Sequence, residues 1–445
     1  VAAAIGGMTF SPLLSADAHA LSLKETLEQA YKFNPVIKSE REALGATDEG
    51  VSQAISEWRP TVSADYVRGR QKISFGGAAA SHSDKVTKQL SIEQPIFDGM
   101  GSVARYRSAK FQVMAGRAQL ESVVQDILLQ AITAYMDVVR DTAVLDLSTN
   151  NVGVLGKQLQ ASRDRFEVGE VTRTDVAQSE ARSSRAKSEE AEAQGALEAS
   201  RAIFKRVIGA DPDALDVAPS HTMPEVPGSL QEALDIALEE NPVLLQANYM
   251  EDALDKLVDS QKSGLLPSVA LTGSLRREQG AGVSGGNDFD NDVVAVNVSV
   301  PLYQSGAQYS RVRTAKKDRE EAKYNAIDAR NETVEEVTRA WQSLKSSTAS
   351  IEANRKSIEA AEIALDGVKQ EQQYGARTVL DVLDAEQELF AARVNLVRAE
   401  RNEKVAAYTL LAAMGRLTPE QLSLDVQRYD PQEHYDRVKY KPIGF

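Results

Sequence analysis

Two aspartates, Asp381 and Asp384, are the residues most suggestive of chemistry, and they follow a glycine turn after a long helical segment. They are three positions apart, so both carboxylates lie on one face of a helix. Like charges held close together attract cations, and their repulsion raises some carboxylate pKa values. A single Asp-x-x-Asp pair is most often solvated surface charge. Its meaning therefore depends on the elements that position it.

Other motifs lack the context that their chemistry needs. Residues 280–285 fit G-x-G-x-x-G and residues 282–286 fit the serine-hydrolase elbow, but both lie in a polar loop. Asp288, Asp290 and Asp292 alternate like calcium ligands without the glycine and closing glutamate of that loop. An outer-surface loop of this kind could still hold divalent cations that bridge lipopolysaccharide. With four scattered histidines, the sequence predicts no enzyme, no metal site and no cofactor.

The overall composition excludes further classes of function. The net charge is −14, which argues against nucleic acid as a partner because phosphate binding needs an excess of Lys and Arg. The chain has no cysteine, which excludes disulfides, thiolate metal sites and a cysteine nucleophile. A cysteine-free chain suits an oxidising compartment.

Residues 1–20 are predicted to be the remnant of an export signal peptide. They are apolar and small, and Ala18-His19-Ala20 matches an A-x-A cleavage site, which would start the mature chain near Leu21. A short buried N-terminal helix is the alternative. No later run of 18 apolar residues predicts a membrane-spanning helix. An exported chain of this kind is either soluble or crosses the outer membrane as a β-barrel.

The chain contains an internal duplication. Residues 22–36 (SLKETLEQAYKFNPV) match 229–243 (SLQEALDIALEENPV) at an offset of 207, which becomes 206 after the first predicted hairpin. The offset far exceeds the period of a solenoid, so it marks a duplication of whole domains. The predicted organisation is a signal remnant (1–20), a first repeat (21–209), a proline-rich linker (210–228), a second repeat (229–415) and a tail (416–445). The first repeat contains hairpin 61–97, long helix 100–166 and return helix 172–208. The second repeat contains hairpin 268–302, long helix 308–374 and return helix 378–414.

Long helices dominate each repeat. Capping boxes at Ser22 and Ser229 start a first helix, and an Asn-Pro pair breaks it and starts a second. The long helices lack proline over roughly 67 residues, which at about 1.5 Å per residue gives a rod near 100 Å. In the first of them, apolar residues recur every 3.6 residues, which is typical of a nearly straight helix: Leu120, Val124, Ile127, Ala131, Tyr135 and Val138.

The segments between the helices change to a period of two. Apolar and polar residues alternate in 61–70, 86–96, 268–275 and 293–300, each about long enough for a tilted strand to cross a bilayer. Polar, glycine-rich segments 71–85 and 276–292 join each pair. A soluble sandwich would show the same alternation, but the long rods do not fit inside a globular domain.

Strand arithmetic indicates the assembly. One chain offers four strands, whereas a closed membrane barrel needs at least eight. A barrel of eight is filled by its own side chains. Three chains give twelve strands, the smallest multiple that leaves an open lumen, so a homotrimer is predicted.

Nearly the whole mature chain, about residues 21–415, resembles the TolC family of outer-membrane channels. The resemblance depends on the two Asn-Pro-Val segments at 34–36 and 241–243, the strand exit QPIFDG at 94–99 and the turn YGARTVLDVLDAE at 374–386. It implies a mainly α fold with β-hairpins. Three chains would form a 12-stranded transmembrane β-barrel that continues into a long periplasmic α-helical barrel. It also implies a place in the outer membrane of Gram-negative type, in contact with lipid.

The resemblance also implies roles for residues at the helical tips. Asp175 and Arg377 correspond to residues that link neighbouring coiled coils and close the periplasmic entrance, and Asp381 and Asp384 to acidic rings that narrow it. The turns Val168-Gly169-Glu170 and Gly375-Ala376-Arg377 correspond to adaptor contacts, although each glycine also serves as a left-handed turn residue. The family often has an aromatic residue where this chain has Gln372, which leaves the bonding of the gate open.

The leading hypothesis is a passive export duct gated at its periplasmic tip. A periplasmic adaptor and an inner-membrane ABC or proton-driven transporter would open it. The cargo would be secreted polypeptides (type I secretion), small toxic compounds, or both, and the sequence does not choose. The alternative is a non-conducting structural protein that spans the periplasm.

Overall fold

The computed structural model describes residues 21–73, 81–212, 223–280 and 288–444, so the predicted signal remnant lies outside the described residues. Within these ranges the fold is mainly helical, and both copies have the same order of elements. The elements are α1 (Leu23–Phe33), α2 (Pro35–Ser56), β1 (Thr61–Ile73), β2 (Ser81–Phe97), α3 (Gly101–Glu167), α4 (Arg173–Ile208), α5 (Leu230–Glu240), α6 (Pro242–Ser263), β3 (Ser268–Gln279), β4 (Phe289–Ser299), α7 (Ala307–Gln373), α8 (Val379–Ala413) and α9 (Pro431–Val438).

The Asn-Pro junctions fix the end of each return helix. Asn34 accepts a hydrogen bond from the Val36 amide (2.8 Å) and donates from Nδ2 to the Val207 carbonyl (2.9 Å). Asn241 accepts from the Val243 amide and donates to the Ala413 carbonyl, both at 2.9 Å. Both asparagines are buried. Each one therefore caps a new helix and satisfies a carbonyl at the end of a distant one.

The rods have the predicted length. α3 and α7 each contain 67 residues, which is about 100 Å of helix. The periodic apolar residues of α3 are all buried, and Leu128, Ile132 and Tyr135 lie among them in the main core with Phe204 of α4. This core lies where the short helices of both copies meet the rods. By length and composition alone, α3 has one window apolar enough to cross a membrane, but half of that window is buried, as in a core helix.

The four strands form one antiparallel sheet in the order β1-β2-β3-β4. The strands are 11 to 17 residues long, and the ladders continue beyond the alternating segments, so the predicted joining segments 71–85 and 276–292 were too long. Cross-strand ion pairs explain the difference. Arg70 Nε lies 2.9 Å from Asp84 Oδ1, and Arg277 Nη1 lies 2.8 Å from Asp292 Oδ1. Charged residues thus pair across strands where a period-two apolar pattern is no longer visible.

The tail after residue 416 has structure that the sequence pattern did not predict. It runs back to the first copy and ends in α9, which packs against α2. His434 Nδ1 of α9 lies 3.0 Å from Oδ2 of the fully buried Asp48. Arg59 donates to the carbonyls of Tyr440 (3.0 Å) and Lys441 (3.3 Å). The tail is therefore a structural part of the first copy.

Candidate functional site: the helical tips

Two glycine turns form the ends of the rods away from the sheet. Gly169 and Gly375 have φ of +82° and +74°, a left-handed conformation that favours glycine. In each turn, the glycine amide donates a hydrogen bond to the carbonyl three residues earlier, and the amide of the next residue donates to the carbonyl five residues before it. Val168 (71 %) and Tyr374 (88 %) are among the most exposed large apolar residues of the described chain. Both tips therefore expose an apolar side chain to solvent.

Asp175 and Asp381 occupy matched positions just after the two turns. Asp175 Oδ2 accepts from the Thr172 amide (2.8 Å) and hydroxyl (2.7 Å), and Asp381 Oδ2 accepts from the Thr378 amide and hydroxyl, both at 2.8 Å. Both carboxylates therefore complete capping boxes. The bonds from Thr378 hold the pKa of Asp381 below its usual range, whereas the sequence suggested that crowded like charges would raise it. Within one chain, no neighbouring carboxylate among the described residues offsets the lowering by these bonds.

Arg377 lies at the tip between two acidic residues of its own copy. Its Nε lies 2.9 Å from Glu371 Oε2, and its Nη1 lies 4.0 Å from Asp381 Oδ1. These carboxylates raise the pKa of Arg377, the hydrogen bond to Glu371 having the larger effect. In the described part of the chain, neither ion pair of Arg377 reaches Asp175. The two residues nonetheless line one cleft of about 450 Å³ between the turns.

Asp384 makes a link that the sequence analysis missed. Its Oδ1 lies 2.5 Å from Nη2 of Arg182, which belongs to α4 of the first copy. Asp381 and Asp384 therefore have different roles, because one caps its own helix and the other joins the two copies. Arg182 follows Asp175 by seven residues, two helical turns, so it lies on the same face of α4. That spacing was the only signal for it in the sequence.

A small apolar cluster also joins the copies near the tips. Leu155 and Ala186 of the first copy pack with Val379 and Leu383 of the second. All four are almost fully buried. Gln372 lines the neighbouring cleft, and its Nε2 is buried without a hydrogen-bond partner among the described residues. The aromatic residue Tyr374 is exposed instead.

The other motifs give no site in the described residues. Asp290 and Asp292 both face Arg277, at 3.4 Å and 2.8 Å, so their carboxylates are paired with an arginine. No cluster of three or more metal-ligating side chains occurs in the part of the chain that the structure describes. Residues 281–287, which carry most of the two glycine motifs, lie outside it.

One face of the sheet is apolar and exposed. In register across the strands lie Val62, Ile92, Gly273 and Val294, and Val62 and Val294 are 65 % and 82 % exposed. On β2 this face runs from Leu90 to Phe97, about 23 Å at 3.3 Å per residue. A row of charged residues with one tyrosine borders it: Tyr66, Lys88, Arg277 and Asp290. This height is close to that of the apolar band on an outer-membrane strand, about 25 Å.

Comparison with known proteins is consistent across nearly the whole chain. The family model described as outer membrane efflux protein matches residues 26–210 and 233–416, one match for each copy. The chain is 34 % identical to the outer membrane efflux protein BepC of Brucella suis biovar 1, over 95 % of this chain and 91 % of BepC. It is 27 % identical to the alkaline protease secretion protein AprF of Pseudomonas aeruginosa, over 92 % and 86 % of the two chains.

Among solved structures, the CmeC outer membrane channel of Campylobacter jejuni resembles this chain with a TM-score of 0.78. The similarity covers 99 % of this chain and 98 % of CmeC at 17 % identity. At that identity it shows the fold alone.

Proposed function

The chain belongs to the outer membrane efflux protein family, the TolC-like channels of efflux and type I secretion, and from that premise we propose that it is the passive exit duct of a tripartite export system. One observation carries the proposal. A single chain combines a sheet with an exposed apolar face of about bilayer height and paired rods near 100 Å long that end in charged tips.

The duct is a homotrimer. The four-stranded sheet has two open edges, β1 and β4, and exposed edges pair with other strands. Three sheets joined edge to edge give twelve strands and a lumen wide enough for passage. The rods of three chains then form a tube that extends into the periplasm.

The gate lies at the tips of the rods. Asp175, Arg377, Asp381 and Asp384 surround the narrow end, and the exposed turns at Gly169 and Gly375 bind a periplasmic adaptor. An inner-membrane ABC or proton-driven transporter supplies the energy. Opening separates the second-copy coiled coil from the first, which breaks the link between Arg182 and Asp384.

Single-channel recording in planar lipid bilayers tests the duct. The purified protein should form trimers in detergent and open pores of uniform conductance. A trimer that passes no current would support the alternative of a non-conducting spacer, and a monomer would contradict the assembly.

The cargo is the remaining part of the proposal. One relative is named for efflux and another for protease secretion, so both kinds of cargo are proposed. Deletion of the gene should remove proteins from the culture medium, increase drug susceptibility, or both. A deletion strain unchanged in both assays would contradict an export function.

A further inference from the structure

A partly open cavity of about 280 Å³ lies far from the tips, between the first copy and the tail. α1, α2 and α3 form its floor and walls, and the tail segment from Thr418 to Pro431 covers it. The family match ends at residue 416, so the cover lies outside the part that defines the family. The volume is close to the lower limit for small-molecule sites.

Two arginines in this cavity have unused donors. Nε and Nη2 of Arg41 and Nε of Arg117 are buried, and none has a hydrogen-bond partner among the described residues. Buried donors without partners are costly, and this cost is greater for charged groups. The guanidinium of Arg41 is held between the rings of Tyr31 and Tyr429, at 4.8 Å and 5.1 Å from their centroids. It is therefore fixed in place although it has no anionic partner.

The acidic residues around the cavity do not neutralise this pair. Glu420 forms an ion pair with Arg428, and Asp48 bonds to His434. No carboxylate forms an ion pair with Arg41 or Arg117 in the described ranges. Burial, with a smaller contribution from Glu420, raises the pKa of Glu121.

One part of the lining is apolar. Leu120 and Val124 of α3 form one wall, next to Gln125, whose Oε1 is buried without a hydrogen-bond partner in the described chain. The second copy lacks this arrangement. At the offsets of 207 and 206, Arg41 corresponds to Asn248 and Val124 to Arg330. Only one such cavity is therefore expected in each chain.

We propose that this cavity binds a small organic carboxylate, with its carboxylate on Arg41 and Arg117 and its apolar body against Leu120 and Val124. Planar guanidinium groups recognise carboxylates by paired hydrogen bonds. The apolar wall distinguishes such a ligand from an inorganic oxyanion. The site is independent of the conducting path, so it would exist whether or not the protein is a channel.

Benzoate titration into the purified full-length protein in detergent, followed by calorimetry, tests the proposal. We expect saturable binding at one site per chain. Arg41→Gln and Arg117→Gln should each weaken it about tenfold or more, because each removes a charged hydrogen bond. Arg59→Gln is the matched control, since Arg59 also holds the tail but lies outside the cavity. It should bind benzoate as the unmodified protein does.

One further variant separates ligand binding from simple loss of the cover. Gln432→Ala removes the 2.9 Å bond from Arg117 to the tail and leaves both guanidinium groups in place, so it should keep benzoate affinity. Any of three results would overturn the proposal: unchanged benzoate binding in Arg41→Gln, tighter binding of inorganic phosphate than of benzoate, or no saturable benzoate binding below about 10 mM.

Discussion

The link between Arg182 and Asp384 leads to the sharpest prediction about gating. Arg182→Gln removes the cation of an ion pair that joins the two copies at 2.5 Å. The Asp384 side chain is 56 % exposed, so the pair is partly screened and is worth about 0.5–1 kcal/mol. The proposed trimer would contain three such pairs, so about 1.5–3 kcal/mol would oppose opening. We therefore expect the open probability at rest to rise roughly 10- to 100-fold.

Single-channel recording of the trimer in planar bilayers measures this change. Arg185→Gln is the matched control, because Arg185 lies on the same helix and pairs with Glu189 of that helix at 2.9 Å. It should leave the open probability unchanged. The double variant Arg182→Asp with Asp384→Arg restores an ion pair of reversed polarity and should return the channel towards rest. If Arg182→Gln stays closed, or if the control opens equally, the link does not hold the gate.

Three other outcomes are expected. Asp175→Asn and Arg377→Gln should each raise resting conductance in the same bilayer assay, and unaltered conductance in both would remove them from the gate. Asn241→Ala should lower the free energy of unfolding by about 2–4 kcal/mol in a denaturant titration. The substitution removes a helix cap and leaves the buried Ala413 carbonyl without a hydrogen bond. A loss under about 0.5 kcal/mol would contradict this. The pKa of Asp381 is lowered from 3.8 by folding, so its capping contribution is complete above pH 3.8 and is lost as the pH falls through the lowered pKa. Amide hydrogen exchange at the tip should therefore become faster over that pH range. In Asp381→Asn this pH dependence should be absent. Identical pH profiles in the variant and the unmodified protein would refute the assignment.

Local chemistry made much of the fold predictable. The glycine turns and the capping serines act within a few residues, as does the helix cap that each Asn-Pro pair provides, so their positions in the sequence are sufficient to identify them. The capping role of Asp175 and Asp381 was also visible, because Thr172 and Thr378 precede them by three residues. Their charge was instead interpreted through the family resemblance.

Contacts between distant segments could not be predicted in the same way. The pair between Arg182 and Asp384 depends on which helices become neighbours, and no local pattern encodes that choice. Helix α9 had a local signal, Asp430 as a cap followed by Pro431. The docking of α9 against α2 had no such local signal. The tail also has no counterpart in the first copy with which it could be compared.

The docked tail also determines when the first copy can be completed. His434 bonds to Asp48 across 386 residues of sequence, and the Tyr429 amide bonds to the Tyr31 hydroxyl across 398. Contacts this distant require the closure of a very long loop and form late. The N-terminal half of the protein is made first, yet it remains unfinished until the last residues have been synthesised. A chain that ends before Thr418 would therefore lose contacts mainly in its first copy, although the sequence of that copy is complete.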